Sequence, residues 1–237
     1  MDVIVPFAAH DPKTRLSDVL DPGERRAFAR VMLADVLESI VAAGGTPHVL
    51  ATRPLDHDLE ALRDADPNSN RSFQSDLAGS LDSGLDVIVD DRDLTTAVNA
   101  AVATAFEGTD AFEPPVAVVM ADLPLATPAS LRRLLEADGE VVLAPGRGGG
   151  TNAFVSRDPS FRVDYHGVSI RDHRRNARSI GATLAEVDSR RLASDVDDRE
   201  DLLEVLVHGE RRAHEWLLEA GFEVATDGGD TTVVRSE

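Results

Sequence analysis

The sequence predicts a single α/β domain, residues 1–237, with a mostly parallel central sheet flanked by helices. Short apolar runs alternate with helical patterns, and the first fifty residues give a strand, a helix and a strand, which is the βαβ unit of a parallel sheet. The run Pro115 to Met120 is strongly apolar, as in a central strand that is buried on both faces. A chain of 237 residues is long enough for one sizeable core of this kind.

The opening unit has well-marked boundaries. Val3 to Phe7 is a short apolar run, which favours a buried strand. The segment Asp21-Pro22-Gly23-Glu24 is typical of a helix start, with aspartate at the cap, proline at the first position and glutamate three residues after the cap. The helix continues to about Ala43, where two glycines end it, and Thr46 to Ala51 forms the second strand.

The remaining elements continue the alternation. Further strands are predicted over Asp86 to Asp90, Pro115 to Met120, Val141 to Ala144 and Thr183 to Val187. Further helices are predicted over Leu94 to Phe106, Pro128 to Glu136, Ile170 to Ser179 and Arg199 to Leu218, the last with a break at Gly209. Between Asn152 and Tyr165 the pattern is irregular.

Two stretches have weaker or separate character. Residues 53–82 predict a short helix near Leu59 to Asp64, followed by turn formers that indicate a flexible flap. Residues 205–237 predict a C-terminal helical and hairpin extension, with the hairpin turning at Asp227 to Asp230. Trp216 in this extension is predicted to belong to the core.

The composition is strongly acidic. The formal net charge is −19, 28 residues are aspartate, and only one of the 24 basic residues is a lysine. A dense aspartate shell costs little repulsion in molar salt, where the Debye length is about 3 Å. This balance indicates a halophilic source, the alternative being an ordinary acidic protein. It argues against non-specific binding to nucleic acid or to an anionic membrane.

The chain also lacks cysteine, which excludes disulfides and thiolate chemistry. No apolar stretch approaches the length of a membrane span, and the sequence enters a strand at once without a signal-peptide pattern. We therefore expect a cytoplasmic protein.

The single lysine, Lys13, lies in the loop after the first strand, two residues before Arg15. In an open α/β sheet, ligands bind where loops leave the carboxyl ends of strands. A compact ammonium at this position suits a phosphate group. The alternative is that Lys13 is a solvent-facing residue without a role.

Three aspartates are candidate metal ligands. Asp122 follows the central strand, where a carboxylate can hold a hard cation over the sheet. Asp195 and Asp197 are two residues apart, so an extended backbone would point both side chains the same way. The alternatives are a cap or turn role for Asp122 and a solvated surface for the other two.

A glycine-rich loop and a helix start supply candidate anion sites. Gly148, Gly149 and Gly150 precede Thr151 and Asn152, and successive backbone N–H groups without Cβ atoms can form an anion nest. The alternative is a flexible hairpin. Ser169 and His173 lie four residues apart at a predicted helix start, where the free N–H groups can bind an anion or Ser169 can simply cap the helix.

In their order along the chain, these segments resemble the 2-phospho-L-lactate guanylyltransferase family. The resemblance rests on Val3 to Leu16, on the strand that ends at Asp122-Leu123-Pro124, on the loop from Gly148 to Asn152, on Ser169 with His173, and on Asp195 to Leu202. It extends to about residue 205. It implies a nucleotidyltransferase-like (Rossmann-type) fold and a step in the biosynthesis of coenzyme F-420.

The resemblance also implies roles for the candidate residues. Lys13 and Arg15 would contact phosphates, and the three aspartates would hold Mg²⁺. Gly148, Gly149, Gly150, Thr151, Asn152, Gly167 and Ser169 would bind the phosphorylated acid. GTP and 2-phospho-L-lactate would be the substrates, and a homodimer is expected. Two positions differ from the family pattern, since Ala8 replaces a lysine and His166 replaces a glycine.

Other functions fit parts of the same pattern. Another nucleotidyltransferase of the same fold would use phosphoenolpyruvate, a sugar phosphate or a molybdopterin acceptor. The pair Asp195 and Asp197 also fits a metal-dependent glycosyltransferase. A non-catalytic nucleotide-binding protein is a third class. The sequence does not assign the residues that read the base; Asp90, Asp91 and residues 68–76 are candidates.

Overall fold

Seven strands form one sheet with helices on both faces. The computed structural model describes residues 1–55, 85–107 and 114–236. The strands of the sheet are β1 Asp2–Phe7, β2 Thr46–Ala51, β3 Asp86–Val89, β4 Val116–Val119, β5 Val141–Pro145, β6 Thr151–Ser156 and β7 Leu184–Glu186. The helices are α1 Pro22–Ala42, α2 Leu94–Phe106, α3 Pro128–Leu135, α4 Ser169–Ser179, α5 Arg190–Ala193, α6 Arg199–His208 and α7 Arg212–Glu219. A separate hairpin consists of β8 Phe222–Asp227 and β9 Asp230–Arg235.

The sheet is mostly parallel, as the sequence predicts. Its order is β3-β2-β1-β4-β6-β5-β7, and β6 alone among these strands runs antiparallel to its neighbours. The strand β4 lies at the centre and is buried along its whole length, as its apolar sequence predicts. The carboxyl ends of β1 and β4 are therefore adjacent, and the loops that follow them carry Lys13 and Asp122.

The local signals in the sequence explain most boundaries. The helix α1 begins where Asp21 accepts a hydrogen bond from the Glu24 N–H while the Glu24 carboxylate accepts one from the Asp21 N–H. The predicted break at Gly209 and the hairpin turn at residues 227–230 are also present. The predicted helix near Leu59 to Asp64 and the flap lie outside the described residues.

The strand β6 corrects the sequence analysis, which predicts only an irregular segment after Asn152. All six residues of β6 are buried, although Thr151, Asn152 and Ser156 are polar. Their side chains bond within the protein, for example Ser156 Oγ to the Asp158 carbonyl at 3.0 Å. Polar residues that are satisfied internally remove the apolar pattern on which strand prediction depends.

The C-terminal elements pack against the start of α1. Leu16 and Phe28 share an apolar cluster with Val196 and Leu202, and Trp216 stacks on Phe28 with ring centroids 5.0 Å apart. Trp216 is thus a packing residue, as predicted. This cluster joins the loop that carries Lys13 to the segment that carries Asp197. Within the described ranges, no helix has the length and apolar character needed to cross a membrane.

A buried ionic cluster fastens α7 to the middle of α1. Asp35, at 1% exposure, accepts a hydrogen bond from the Ala213 N–H at 3.0 Å. The guanidinium of Arg211 lies 2.8 Å from Glu38 Oε2, and that of Arg212 lies 2.5 Å from Glu38 Oε1. Burial raises the pKa of the Asp35 carboxyl to about 6, against the lowering effect of Arg211. When ionised, these buried carboxylates therefore depend on the two arginines for charge compensation.

We expect Arg211→Met to lower the free energy of unfolding by about 3 kcal/mol at pH 8, because a buried carboxylate pair loses one of its cations. A carboxyl whose folded pKa is raised loses stability as the pH rises from its ordinary pKa through the raised one, so the loss in this variant should be smaller at pH 5, where Asp35 is mostly protonated. Urea denaturation at pH 5 and pH 8 measures this loss in the free energy of unfolding. The control is Arg190→Met, which removes a more exposed pair with Glu204 and should cost about 1 kcal/mol or less. Equal losses in the two variants would contradict the role of the cluster.

Candidate active site

Lys13 lies at the edge of the sheet in an unusual backbone conformation. It precedes the 3₁₀ turn Thr14–Leu16 with φ 56° and ψ 43°, and Asp11 also has a positive φ of 45°. Left-handed conformations are uncommon for residues other than glycine and persist where the surroundings hold them in place. The side chain of Lys13 is only 11% exposed, so it is not a solvent-facing residue.

Arg25 holds this loop, a role that the sequence analysis does not identify. Its guanidinium bonds Asp11 Oδ1 at 2.6 Å, the Pro12 carbonyl at 3.2 Å and the Leu20 carbonyl at 3.3 Å. Arg25 is buried and lies in the first turn of α1. A buried arginine with three partners fixes the direction in which the loop projects Lys13. In the sequence, Arg25 is one of a pair of arginines on a helix and carries no distinguishing signal.

The ammonium group of Lys13 lies between two carboxylates. Lys13 Nζ is 2.5 Å from Asp122 Oδ2 and 3.2 Å from Asp197 Oδ1. Arg15, which is largely exposed, lies 3.3 Å from the other oxygen of Asp197. The structure therefore brings together both predicted cations and two of the three predicted metal ligands, which lie 109 and 184 residues after Lys13 in the sequence.

The charge state of Lys13 follows from these neighbours. Burial alone would lower the pKa of Lys13, but the Asp122 and Asp197 carboxylates outweigh it, and the pKa lies above its ordinary value. The side chain is therefore an ammonium ion at neutral pH. A protonated amine has no lone pair, so it can stabilise negative charge but cannot act as a nucleophile.

The third aspartate, Asp195, is held by Asn152 of β6. Asp195 Oδ1 accepts a hydrogen bond from Asn152 Nδ2 at 3.0 Å, and Asn152 Nδ2 also donates to the Leu192 carbonyl at 3.0 Å. Between Asp195 and Asp197, Val196 is buried and donates its N–H to the Asp122 carbonyl at 3.1 Å. Burial raises the pKa of Asp195, and the nearby Asp122 and Asp197 raise it further. The three carboxylates are thus close enough to interact.

The donor set suits a hard divalent cation in chemical type, because carboxylate oxygens are the preferred ligands of Mg²⁺. The Asp122 and Asp197 carboxylates contribute to the raised pKa of Asp195. A divalent cation would relieve this repulsion between like charges. In the part of the chain that the structure describes, no group of three or more histidine, aspartate or glutamate side chains converges on one point as a metal cage. The Lys13 ammonium lies between Asp122 and Asp197 instead.

The glycine loop and the start of α4 lie side by side. The Ile170 N–H donates to the Gly149 carbonyl at 3.2 Å, and a Cβ atom on Gly149 would lie 2.9 Å from Val168 Cγ1. Gly149 and Gly167 both have positive φ, at 83° and 58°. Ser169 is the first residue of α4 and the cap position is Val168, so the alternative in which Ser169 caps the helix is wrong. Thr151 and Ser169 are both buried at this junction.

A cavity of about 430 Å³ extends from Lys13 across the carboxyl ends of β1, β2 and β3. Lys13, Asp122 and Asp197 line one end. Phe7 and Leu50, from the central strands β1 and β2 of this edge, line the middle, and the apolar side chains of Leu94 and Met120 also belong to the lining. At the far end, Asp90 and Arg92 form a bidentate pair, with Arg92 Nε 2.9 Å and Nη2 2.5 Å from the two Asp90 oxygens. The volume and the mixed lining are typical of a small-molecule site.

At the far end of the cavity lies Asp90, which the sequence suggests as a candidate for reading the base. Asp90 follows β3, which is the positional signal that makes it a candidate. Thr52 and Arg92 also line the cavity but carry no motif. Residues 68–76, the other candidates for base recognition, lie outside the described residues.

A sequence model of the family described as "Guanylyl transferase CofC like" matches residues 1–66 and 73–236. The chain belongs to this family. It is 53% identical to a 2-phospho-L-lactate guanylyltransferase from Halomicrobium mukohataei over 99% of this chain and 100% of that protein. It is 51% identical to the protein of the same name from Haloferax volcanii, over 99% of this chain and 98% of that one. The resemblance inferred from the sequence is confirmed.

The relatives of this CofC-like chain come from halophilic archaea, in agreement with the salt-adapted composition. Solved structures confirm the fold class. A crystal structure from Desulfovibrio desulfuricans, described as a nucleotide-diphospho-sugar transferase, has a TM-score of 0.67 at 16% identity and covers 92% of this chain and 94% of that one. A nucleotidyl transferase from Methanothermobacter has a TM-score of 0.53 at 16% identity, over 88% of this chain and 97% of that one. At this identity the likeness concerns the fold alone.

Proposed function

We propose that this chain transfers GMP from GTP to 2-phospho-L-lactate with release of pyrophosphate, as a step of coenzyme F-420 biosynthesis. Family membership supports the guanylyl transfer and the named relatives support the acceptor. The structural observation that carries the proposal is the Lys13 ammonium between Asp122 and Asp197, at one end of a cavity with an apolar middle. In this proposal, the ammonium group and its carboxylate partners would lie beside the triphosphate at the point where it meets the acceptor.

The reaction needs charge neutralisation more than proton transfer. The attacking group is a phosphate oxygen of the acid, which is already ionised at neutral pH, so no general base is required. A bond forms between this oxygen and the α-phosphorus of GTP, while the bond from the α-phosphorus to the oxygen bridging to the β-phosphorus breaks. The main barrier is repulsion between anions, which Lys13 and Arg15 reduce by electrostatic stabilisation.

The protonated state of Lys13 supports direct transfer. With the Asp122 and Asp197 carboxylates 2.5 Å and 3.2 Å away, Lys13 is held as an ammonium ion, which would pair with phosphate charge and leave the acid as the group that attacks GTP. Both substrates are then bound together before pyrophosphate leaves.

Asp122, Asp195 and Asp197 would hold Mg²⁺. A bound Mg²⁺ neutralises triphosphate charge and orients the phosphates for in-line displacement. Within the protein, Asn152 positions Asp195 and the Asp122 carbonyl positions the segment between Asp195 and Asp197. These contacts give the carboxylates a defined arrangement before substrate binds.

The phosphorylated acid would bind at the junction of the glycine loop and α4. Gly148, Gly149, Gly150 and Gly167 bring the backbone close to an anion, and Thr151 and Ser169 supply hydroxyl groups. Since both hydrogens of the Asn152 amide nitrogen are used within the protein, Asn152 acts by holding Asp195. The apolar middle of the cavity, with Asp90 and Arg92 beyond it, would receive the nucleoside.

Pyrophosphate release from GTP tests this function. The purified protein is given Mg²⁺ with 2-phospho-L-lactate, phosphoenolpyruvate, a sugar phosphate or no acceptor. We expect the fastest release with 2-phospho-L-lactate. Preference for another acceptor would assign a different nucleotidyltransferase activity. Nucleoside diphosphate released from a nucleotide-sugar would indicate a glycosyltransferase, and absence of turnover would indicate a binding protein.

Salt should affect stability and substrate binding in opposite directions. With a net charge of −19, the melting temperature should rise as KCl increases from dilute buffer towards the molar range, because screening relieves repulsion among carboxylates. The Michaelis constants for GTP and the acid should rise over the same range, because salt also weakens attraction to Lys13 and Arg15. Thermal melts and kinetics on one salt series measure both. An unchanged melting temperature would contradict the halophilic interpretation, and constant Michaelis constants would contradict electrostatic capture by these two cations.

A further inference from the structure

His173 is completely buried at the back of the glycine loop, and both of its ring nitrogens have partners. The Asp164 backbone N–H donates to His173 Nε2 at 2.8 Å. His173 Nδ1 lies 2.8 Å from Thr151 Oγ1. The rings of Tyr165 and Phe161 enclose it edge-on, with centroids 5.2 Å and 6.2 Å away. His173 therefore has one orientation and no contact with solvent.

These contacts determine which nitrogen carries the hydrogen. A backbone N–H can only donate, so Nε2 must be the acceptor and must be unprotonated. A neutral imidazole then carries its hydrogen on Nδ1, and Nδ1 donates to Thr151 Oγ1. Burial lowers the pKa of His173 to about 4, so the ring is neutral near pH 7.

The tautomer in turn orients the hydroxyl of Thr151. Because Thr151 Oγ1 accepts from His173, its own hydrogen must point away from the ring. Among the described residues, His173 is the hydrogen-bond partner of this hydroxyl. Thr151 begins β6 directly after the three glycines, at the same edge of the sheet as Asp122. The hydrogen of this buried hydroxyl is thus not used in the contact with His173, and an anion held at the glycine loop would be its acceptor.

The geometry points to His173 as a positioning residue that fixes the Thr151 hydroxyl as a donor to the anionic acceptor. This inference rests on the proposed function, because it assigns the acceptor to the glycine loop. His173 itself does not touch substrate. It acts through Thr151, and Asp164 acts through His173 by holding Nε2 with its backbone N–H. A hydroxyl that is held as a hydrogen-bond donor binds an ionised oxygen of the ligand better than a ligand group that is itself a hydrogen-bond donor.

Two substitutions of similar polarity separate positioning from packing. In His173→Gln, the amide reaches the position of Nε2 and keeps the acceptor for Asp164, but the donor to Thr151 is lost. In His173→Asn, the amide lies near Nδ1 and keeps that donor. We expect His173→Gln to raise the Michaelis constant for the acid roughly ten- to a hundredfold, the effect of one hydrogen bond to a charged group. In His173→Asn, the Michaelis constant for the acid should stay close to the wild-type value. The Michaelis constant for GTP should change little in either variant.

A double substitution and a spectroscopic measurement complete the test. In a Thr151→Val background, His173→Gln should cause no further increase in the acceptor Michaelis constant. The ¹⁵N spectrum of His173 should show a neutral ring with the hydrogen on Nδ1 from pH 6 to 8. Equal effects of Gln and Asn, a further increase in the Thr151→Val background, or a hydrogen on Nε2 would overturn the inference. Failure of the wild type to release pyrophosphate from GTP would instead contradict the proposed function, and the ¹⁵N result would still report on the tautomer.

Discussion

Lys13→Met should lower kcat by about 10²–10³-fold while the protein remains folded, the loss expected when one donor that stabilises transition-state charge is removed. Methionine keeps much of the length of the lysine side chain. It removes the ammonium group that lies between Asp122 and Asp197. The negative charge that develops on pyrophosphate would then be stabilised less. Steady-state kinetics of pyrophosphate release measure the effect.

The control for this variant is Arg15→Gln. Arg15 is largely exposed and reaches Asp197 at 3.3 Å, so its contribution is screened by solvent and the loss of kcat should be clearly smaller. Melting temperatures of both variants show whether the fold is retained. Near wild-type turnover in Lys13→Met would remove Lys13 from the mechanism. A covalent GMP adduct on the wild-type protein after incubation with labelled GTP would contradict direct transfer.

Asp122→Asn and Asp197→Asn should each abolish most of the Mg²⁺-dependent activity. Both changes keep the shape of the side chain but remove one negative charge from the proposed metal ligands. Asp122→Asn should be the more severe, because Asp122 lies three residues after the end of the rigid central strand, whereas Asp197 lies in the segment between α5 and α6. Titration of activity with Mg²⁺ measures both effects.

Asp188→Asn provides the matched control, since Asp188 is an exposed aspartate in the segment just before α5. Its activity and its Mg²⁺ dependence should equal those of the wild type. If Asp122→Asn and Asp197→Asn also showed the wild-type Mg²⁺ titration, the two carboxylates would be structural partners of Lys13 and not metal ligands.

The parallel part of the fold could be predicted because its signals are local. The capping residues Asp21 and Glu24 define the start of α1, and the apolar run before Asp122 identifies the central strand. In an open α/β sheet, ligands bind at the carboxyl ends of the strands. The loops that carry Lys13 and Asp122 both follow such strands, so they are predicted to meet at the binding site. The structure places these two side chains 2.5 Å apart.

The features that the sequence does not reveal depend on contacts between distant segments. The strand β6 is polar at Thr151 and Asn152 because these residues bond to α4 and to the segment before Asp197. The role of Arg25 depends on a loop conformation with two positive φ angles. In a chain with 28 aspartates, composition alone cannot distinguish Asp11, the partner of the buried Arg25, from the other acidic residues of the surface. The roles of the site residues and the homodimer stay predictions.

The most direct measurement of the central claim is ³¹P NMR of GTP mixed with 2-phospho-L-lactate and Mg²⁺, with the wild type and with Lys13→Met side by side. In the wild-type sample, we predict that the signals of GTP and the acid decline together while pyrophosphate and a new diphosphate-bridged product form in equal amounts. The Lys13→Met sample should show the same chemistry about a hundredfold more slowly or slower still. Inorganic phosphate or GMP in place of the bridged product, or equal rates in the two samples, would contradict the proposal that Lys13 and its carboxylate partners catalyse direct guanylyl transfer.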